Sequence, residues 1–61
     1  MNWVRERFDN LLFWTLIRDN KYVANIVGKE MGDNFTLRTT NGIELTFSNV
    51  ADAMEYAELA A

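Results

Sequence analysis

The sequence predicts an α+β domain: an antiparallel β-meander of three to four strands, an N-terminal amphipathic helix, and a C-terminal helix packed on one sheet face. Three observations carry this reading. Apolar and polar residues alternate on both sides of Asn41-Gly42, the period of two that marks a hairpin. Residues 12–18 are apolar on every side and end at the turn cluster Asp19-Asn20-Lys21. After Phe47 the period changes to that of a helix with an alanine-rich face.

The N-terminal element is predicted over Met1 to Leu12. Val4, Phe8, Leu11 and Leu12 make one stripe, Arg5, Glu6, Asp9 and Asn10 lie opposite, and Asn2 is placed to cap the first turn. From Leu12 to Arg18 periodicity does not separate a buried strand from a continued helix. Composition favours the strand, since Phe, Trp, Thr and Ile suit a pleated surface and a turn cluster follows. Tyr22 to Gly28 reads as the next strand, with two possible facings. Turning Tyr22, Ala24 and Ile26 inward leaves Asn25 and Lys29 outside and lets a helix approach the small Ala24; the other facing buries Asn25.

The hairpin over 35–47 specifies its own register, because directly opposed residues share a face. A two-residue Asn41-Gly42 loop would set Leu37 against Thr46 and Arg38 against Leu45. A three-residue loop, Thr40-Asn41-Gly42, instead pairs Leu37 with Leu45, Phe35 with Phe47, Arg38 with Glu44 and Thr36 with Thr46. The prediction is a type I turn followed by a bulge with a left-handed Gly42. The final helix runs from Val50 to about Ala60, capped by Ser48 or Asn49. Asp52 suits its first turn. Its apolar side is Val50, Ala53, Met54, Ala57 and Leu59 or Ala60.

Sixty-one residues make one domain, residues 1–61, and a chain of this size hides only about 60% of its unfolded surface. With no cysteine and no histidine neither a disulfide nor a structural zinc can staple it, which leaves close packing or self-association. The large apolar residues exceed what one small core can hide, so some are expected to face a partner. Charge is uneven. Residues 1–21 carry Arg5, Arg7, Arg18 and Lys21 against Glu6, Asp9 and Asp19, and every other charge but Lys29 and Arg38 in the remainder is acidic, for −3 overall. That balance disfavours a nucleic-acid footprint. No apolar run reaches the ~18 residues of a membrane span. Leu11 to Ile17 is framed like a signal peptide, but Glu6 and Asp9 interrupt its basic region and no small-residue cleavage site follows. The expectation is a soluble cytoplasmic protein.

Catalysis needs a nucleophile with a base, a metal cluster, or paired carboxylates. The scattered Asp and Glu offer none, so the chain is expected not to be an enzyme and to need no cofactor or small-molecule substrate. Asp33-Asn34 beside Gly32 suits a turn better than a metal loop. The row Asp52, Glu55 and Glu58, with the C-terminal carboxylate, could mimic phosphates, but four charges are few for that and an ordinary solvated helix face accounts for the row better. Arg38 and the threonines, with Trp14 or Tyr22, could form a stacking platform for single-stranded nucleic acid on the open sheet face. Glu44 opposite Arg38 argues against that alternative.

The aromatic cluster Trp3, Phe8, Phe13 and Trp14 remains. Trp3 and Trp14 fall off the helical stripe, and Trp is enriched as an interface anchor. Core and interface roles both stay open for these two. The expected contact residues are Trp3, Arg7, Phe13 and Trp14, with Asp52, Glu55 and Glu58 as a second surface. In size and style a very short, acidic, cysteine-free domain resembles the proteins that phages and other mobile elements encode to inhibit a host protein. That resemblance implies a non-enzymatic binding module, a homodimer, that occupies a surface of a defence or transcription complex.

Overall fold

A computed structural model of the chain describes residues 2–60. It is a five-stranded antiparallel sheet closed by one helix: β1 (Asn2–Phe8), β2 (Leu11–Arg18), β3 (Lys21–Lys29), β4 (Phe35–Thr39), β5 (Glu44–Phe47) and α1 (Val50–Ala60). Strand order follows chain order, so every connection is a local hairpin or short loop. Among the described residues no helix is long and apolar enough to cross a membrane.

The first element corrects the sequence reading. Asn2 to Leu12 is not a helix; Met1 lies outside the described residues. β1 pairs with β2 over its whole length, from Asn2 opposite Ile17 to Phe8 opposite Leu11. The chain reverses at Asp9-Asn10, where Asp9 takes φ 56°, a left-handed conformation that Asp and Asn tolerate better than other side chains. Val4, Phe8 and Leu11 still share one face, as a helical stripe would have placed them, because Val4 and Phe8 have the same strand parity and Leu11 stands across the turn from Phe8. Leu12 goes to the opposite face and is buried. The sheet prevails because β2 is apolar on both faces: a helix over residues 2–12 would leave this strand at a sheet edge with one row of backbone groups unpaired. The helix packing expected at the N-terminus is therefore absent, and five strands replace three or four.

The second hairpin turns at Asp19-Asn20. Both residues have positive φ, 54° and 62°, the pair required by a type I′ turn. The register between β2 and β3 then slips, with Leu16 opposite Ala24 but Ile17 opposite Tyr22. Val23 is the extra residue of this bulge, and its carbonyl accepts the Thr40 N–H at 3.0 Å. Of the three residues grouped as inward, Ala24 and Ile26 are buried, whereas the bulge turns Tyr22 to the other face, where it is exposed.

The hairpin of β4 and β5 has the predicted register, Phe35 with Phe47 through Arg38 with Glu44. Gly42 has φ 96°, its N–H bonds the Thr39 carbonyl, and the Thr39 N–H bonds that of Ile43. The Thr39 hydroxyl, nearly buried, accepts the Ile43 N–H at 3.0 Å and donates to Asn41. At α1 the cap is Asn49. Its Oδ1 accepts the Asp52 N–H at 2.9 Å while its Nδ2 donates to the Asp52 carboxylate at 3.0 Å, a reciprocal pair of the capping-box kind.

α1 packs on β3, β4 and β5. Ala53 and Ala57 turn to the sheet, and both are fully buried with Ala24, Leu16, Ile26 and Leu37. Phe35 lies over Gly28, its cross-strand partner, and meets Trp14 edge to face with ring centroids 5.8 Å apart. A Cβ on Gly28 would stand 2.3 Å from the Phe35 ring, so this glycine is required by close approach rather than by its backbone angle. We expect Gly28→Ala to destabilise the fold by about 2 kcal/mol, the usual penalty for overpacking. For a domain this small that is a fall of about 10 °C in Tm, read by far-UV circular dichroism. An unchanged Tm would mean that the ring can move aside freely.

Candidate protein-interaction surface

Strand parity and register build the second face of the sheet. One cross-strand row runs Glu6, Phe13, Val27, Thr36, Thr46; a second runs Val4, Thr15, Asn25, Arg38, Glu44; at one end lie Phe8, Leu11 and Lys29. α1 covers the opposite face, that of Leu16, Ile26 and Leu37. The open face therefore carries its apolar residues on β1–β3, interspersed with Glu6, Thr15, Asn25 and Lys29, and is polar over β4 and β5. Phe8 is 70% exposed and Val4 42%, while Leu11, Phe13, Ile17 and Val27 are half-buried by their neighbours alone.

Polar groups frame this patch. Arg38 and Glu44 form an ion pair on the β4/β5 side. Glu6 on β1 and Lys29 on β3 make no ion pair among the described residues. Beside Lys29 an open recess of about 400 Å³ is lined by Leu11 and Val27 and by the loop residues Gly32, Asp33 and Asn34. The loop is tied down from two sides. Glu30 N–H donates to the Asn10 carbonyl at 2.9 Å, and Arg7 reaches the Glu30 carboxylate at 2.6 Å. Asp33-Asn34 belongs to this connection; no cluster of acidic residues suited to a metal ion occurs among the described residues.

The expected contact residues separate between the two faces. Only Phe13 lies on the open one, at the centre of the apolar patch. Trp14 is 9% exposed and packed on Phe35. Trp3 is half-buried at the flank of α1, where its indole N–H donates to Glu58 at 2.8 Å. Glu58 is thereby engaged as a strut between helix and β1, and Asp52 is engaged in the cap. Glu55 stays exposed. Arg7 stands on the helix side of β1, held by Glu30 and by an Nε bond to the Asp9 carbonyl at 3.2 Å. The C-terminal carboxylate of the acidic row lies outside the described residues.

Sequence reasoning missed Val4, Phe8, Leu11, Ile17 and Val27 as one surface. A signal was present: the dipeptide Asp-Asn occurs at 9–10, 19–20 and 33–34, at each of the first three strand connections. Reading the first as a hairpin loop, like the second, would have placed Phe8 opposite Leu11.

The division between core and surface aromatics is testable. Trp14→Ala should remove about 3–5 kcal/mol, most of the stability of so small a domain, and abolish the cooperative thermal transition. Phe13→Thr, at a neighbouring position on the open face, should keep that transition and the far-UV spectrum. Equal loss in both variants would contradict the assignment. No family model, curated protein or solved structure matches the chain.

Proposed function

We propose that this chain is a non-enzymatic, cytoplasmic protein-binding module whose contact surface is the open face of β1–β3. One observation supports the reading above the others: an apolar patch centred on Phe13, with Val4 and Phe8 exposed, has no cover among the described residues. Large exposed apolar patches rimmed by polar residues are characteristic of protein contact sites, and aromatic side chains dominate the energy of such contacts. The module would act by occupying a surface of its partner, as an inhibitor of a host complex of the phage or mobile-element type does.

Phe8, Phe13 and Tyr22 on an open sheet also favour a second reading, base stacking on single-stranded nucleic acid. Electrostatics weighs against it. Glu6 and Glu44 share the face with Lys29 and Arg38, so the face has no net positive charge, and the chain carries −3. Phosphate binding needs the reverse.

Phe8→Asp separates these readings with little risk to the fold, since Phe8 is the most exposed aromatic. The variant should melt within a few degrees of the wild type. Immobilised wild type should retain a defined set of proteins from a host-cell lysate, and the variant should retain them at least tenfold less. Equal retention by both would overturn the proposal. So would tight binding of a labelled single-stranded oligonucleotide that falls steeply with salt.

A further inference from the structure

We propose that a second copy of this chain occupies the open face, sheet against sheet about a two-fold axis running close to β2, with Glu6 of each copy beside the partner's Lys29. The inference rests on the reading of this face as a protein-binding surface and names its occupant. The charge pattern carries it. Glu6 shares a cross-strand row with Phe13 and Val27, and Lys29 shares the next row with Leu11 and Phe8. The two charges therefore stand on opposite flanks of the apolar group, one on β1 and one on β3. Both are exposed, and neither makes an ion pair among the described residues, whereas Arg7–Glu30 and Arg38–Glu44 are satisfied within the chain.

A two-fold axis along β2 exchanges the β1 and β3 flanks. It thereby brings an acidic flank onto a basic one twice, the self-complementarity that an isologous interface requires. The same rotation carries Phe8 of each copy towards the recess beside the partner's Lys29, where Leu11 and Val27 supply apolar walls. Packed sheets cross at about 30°, an offset that the long Glu and Lys side chains can span. The strands that overlap about this axis are β1–β3: three strands about 4.8 Å apart and roughly six residues deep give a flat footprint on the order of 300 Å² per copy, a small interface in which the two Glu6–Lys29 contacts decide whether the copies associate.

Sedimentation or light scattering of the purified chain over a concentration series tests the proposal, using wild type, Glu6→Lys and Lys29→Glu. The wild type should be a dimer. Each single variant sets like charges together at both symmetric contacts and should weaken the dimer about tenfold or more. An equimolar mixture of the two variants should regain the dimer, because every contact between unlike copies is then a complementary pair. Both positions are exposed, and circular dichroism checks that the variants stay folded. A monomeric wild type would overturn the proposal, as would a dimer indifferent to both substitutions or variants that fail to rescue each other. A failed dimer leaves the reading of the face as a protein-binding surface intact, and that reading is judged separately by Phe8→Asp and lysate retention.

Discussion

A sheet presents two faces, and the single helix of this chain is too small to cover even one. α1 is eleven residues long, about 16 Å by 10 Å, whereas five strands about 4.8 Å apart span roughly 20 Å or more. The helix accordingly sits on β3, β4 and β5. Trp3 extends its cover towards β1 through the bond to Glu58, and beyond it the helix side of β1 turns polar, with Arg5 and Arg7 exposed. Coverage rather than hydrophobicity alone decides which apolar residues become core.

Close approach makes that limited cover effective. Ala24 on the sheet and Ala53 and Ala57 on the helix are fully buried, so backbones come near enough for Leu16, Ile26 and Leu37 to interlock around them. Gly28 plays the same part for Phe35, whose ring would collide with any side chain there. Small residues thus serve as sockets for large ones, which lets a domain with no cysteine for a disulfide pack closely. The consequence on the other side of the sheet is an apolar patch that no element among the described residues covers.

That patch and the functional reading follow from one topology. Because the strands run in chain order, β2 is central to the N-terminal half of the sheet, and its alternate residues supply both the core (Leu12, Trp14, Leu16) and the open face (Leu11, Phe13, Ile17). A strand that is apolar on both faces needs cover on both. One cover is α1 with its flanking residues; no other element among the described residues covers the second face. Glu6 and Lys29 at its margins, which make no ion pair among the described residues, are the features of the face that distinguish one kind of cover from another.

Much of the local structure was legible in the residues themselves. Pairing apolar with apolar settled the register of the 35–47 hairpin and its three-residue loop with Gly42, and the change of period after Phe47 marked α1, a cap at Ser48 or Asn49, and Asp52 in the first turn. These features depend on neighbours within a few positions, where turn chemistry and periodicity act directly. The tertiary structure alone decided the rest. Residues 2–8 satisfy both a helical stripe and a strand alternation, and only the need of β2 for a second hydrogen-bonded neighbour makes them a strand. Tyr22 was turned outward by a bulge at Val23 that no local pattern announces. Trp14 became core and Phe13 surface, although they are adjacent and both aromatic, because inside and outside are defined by where a distant helix lands.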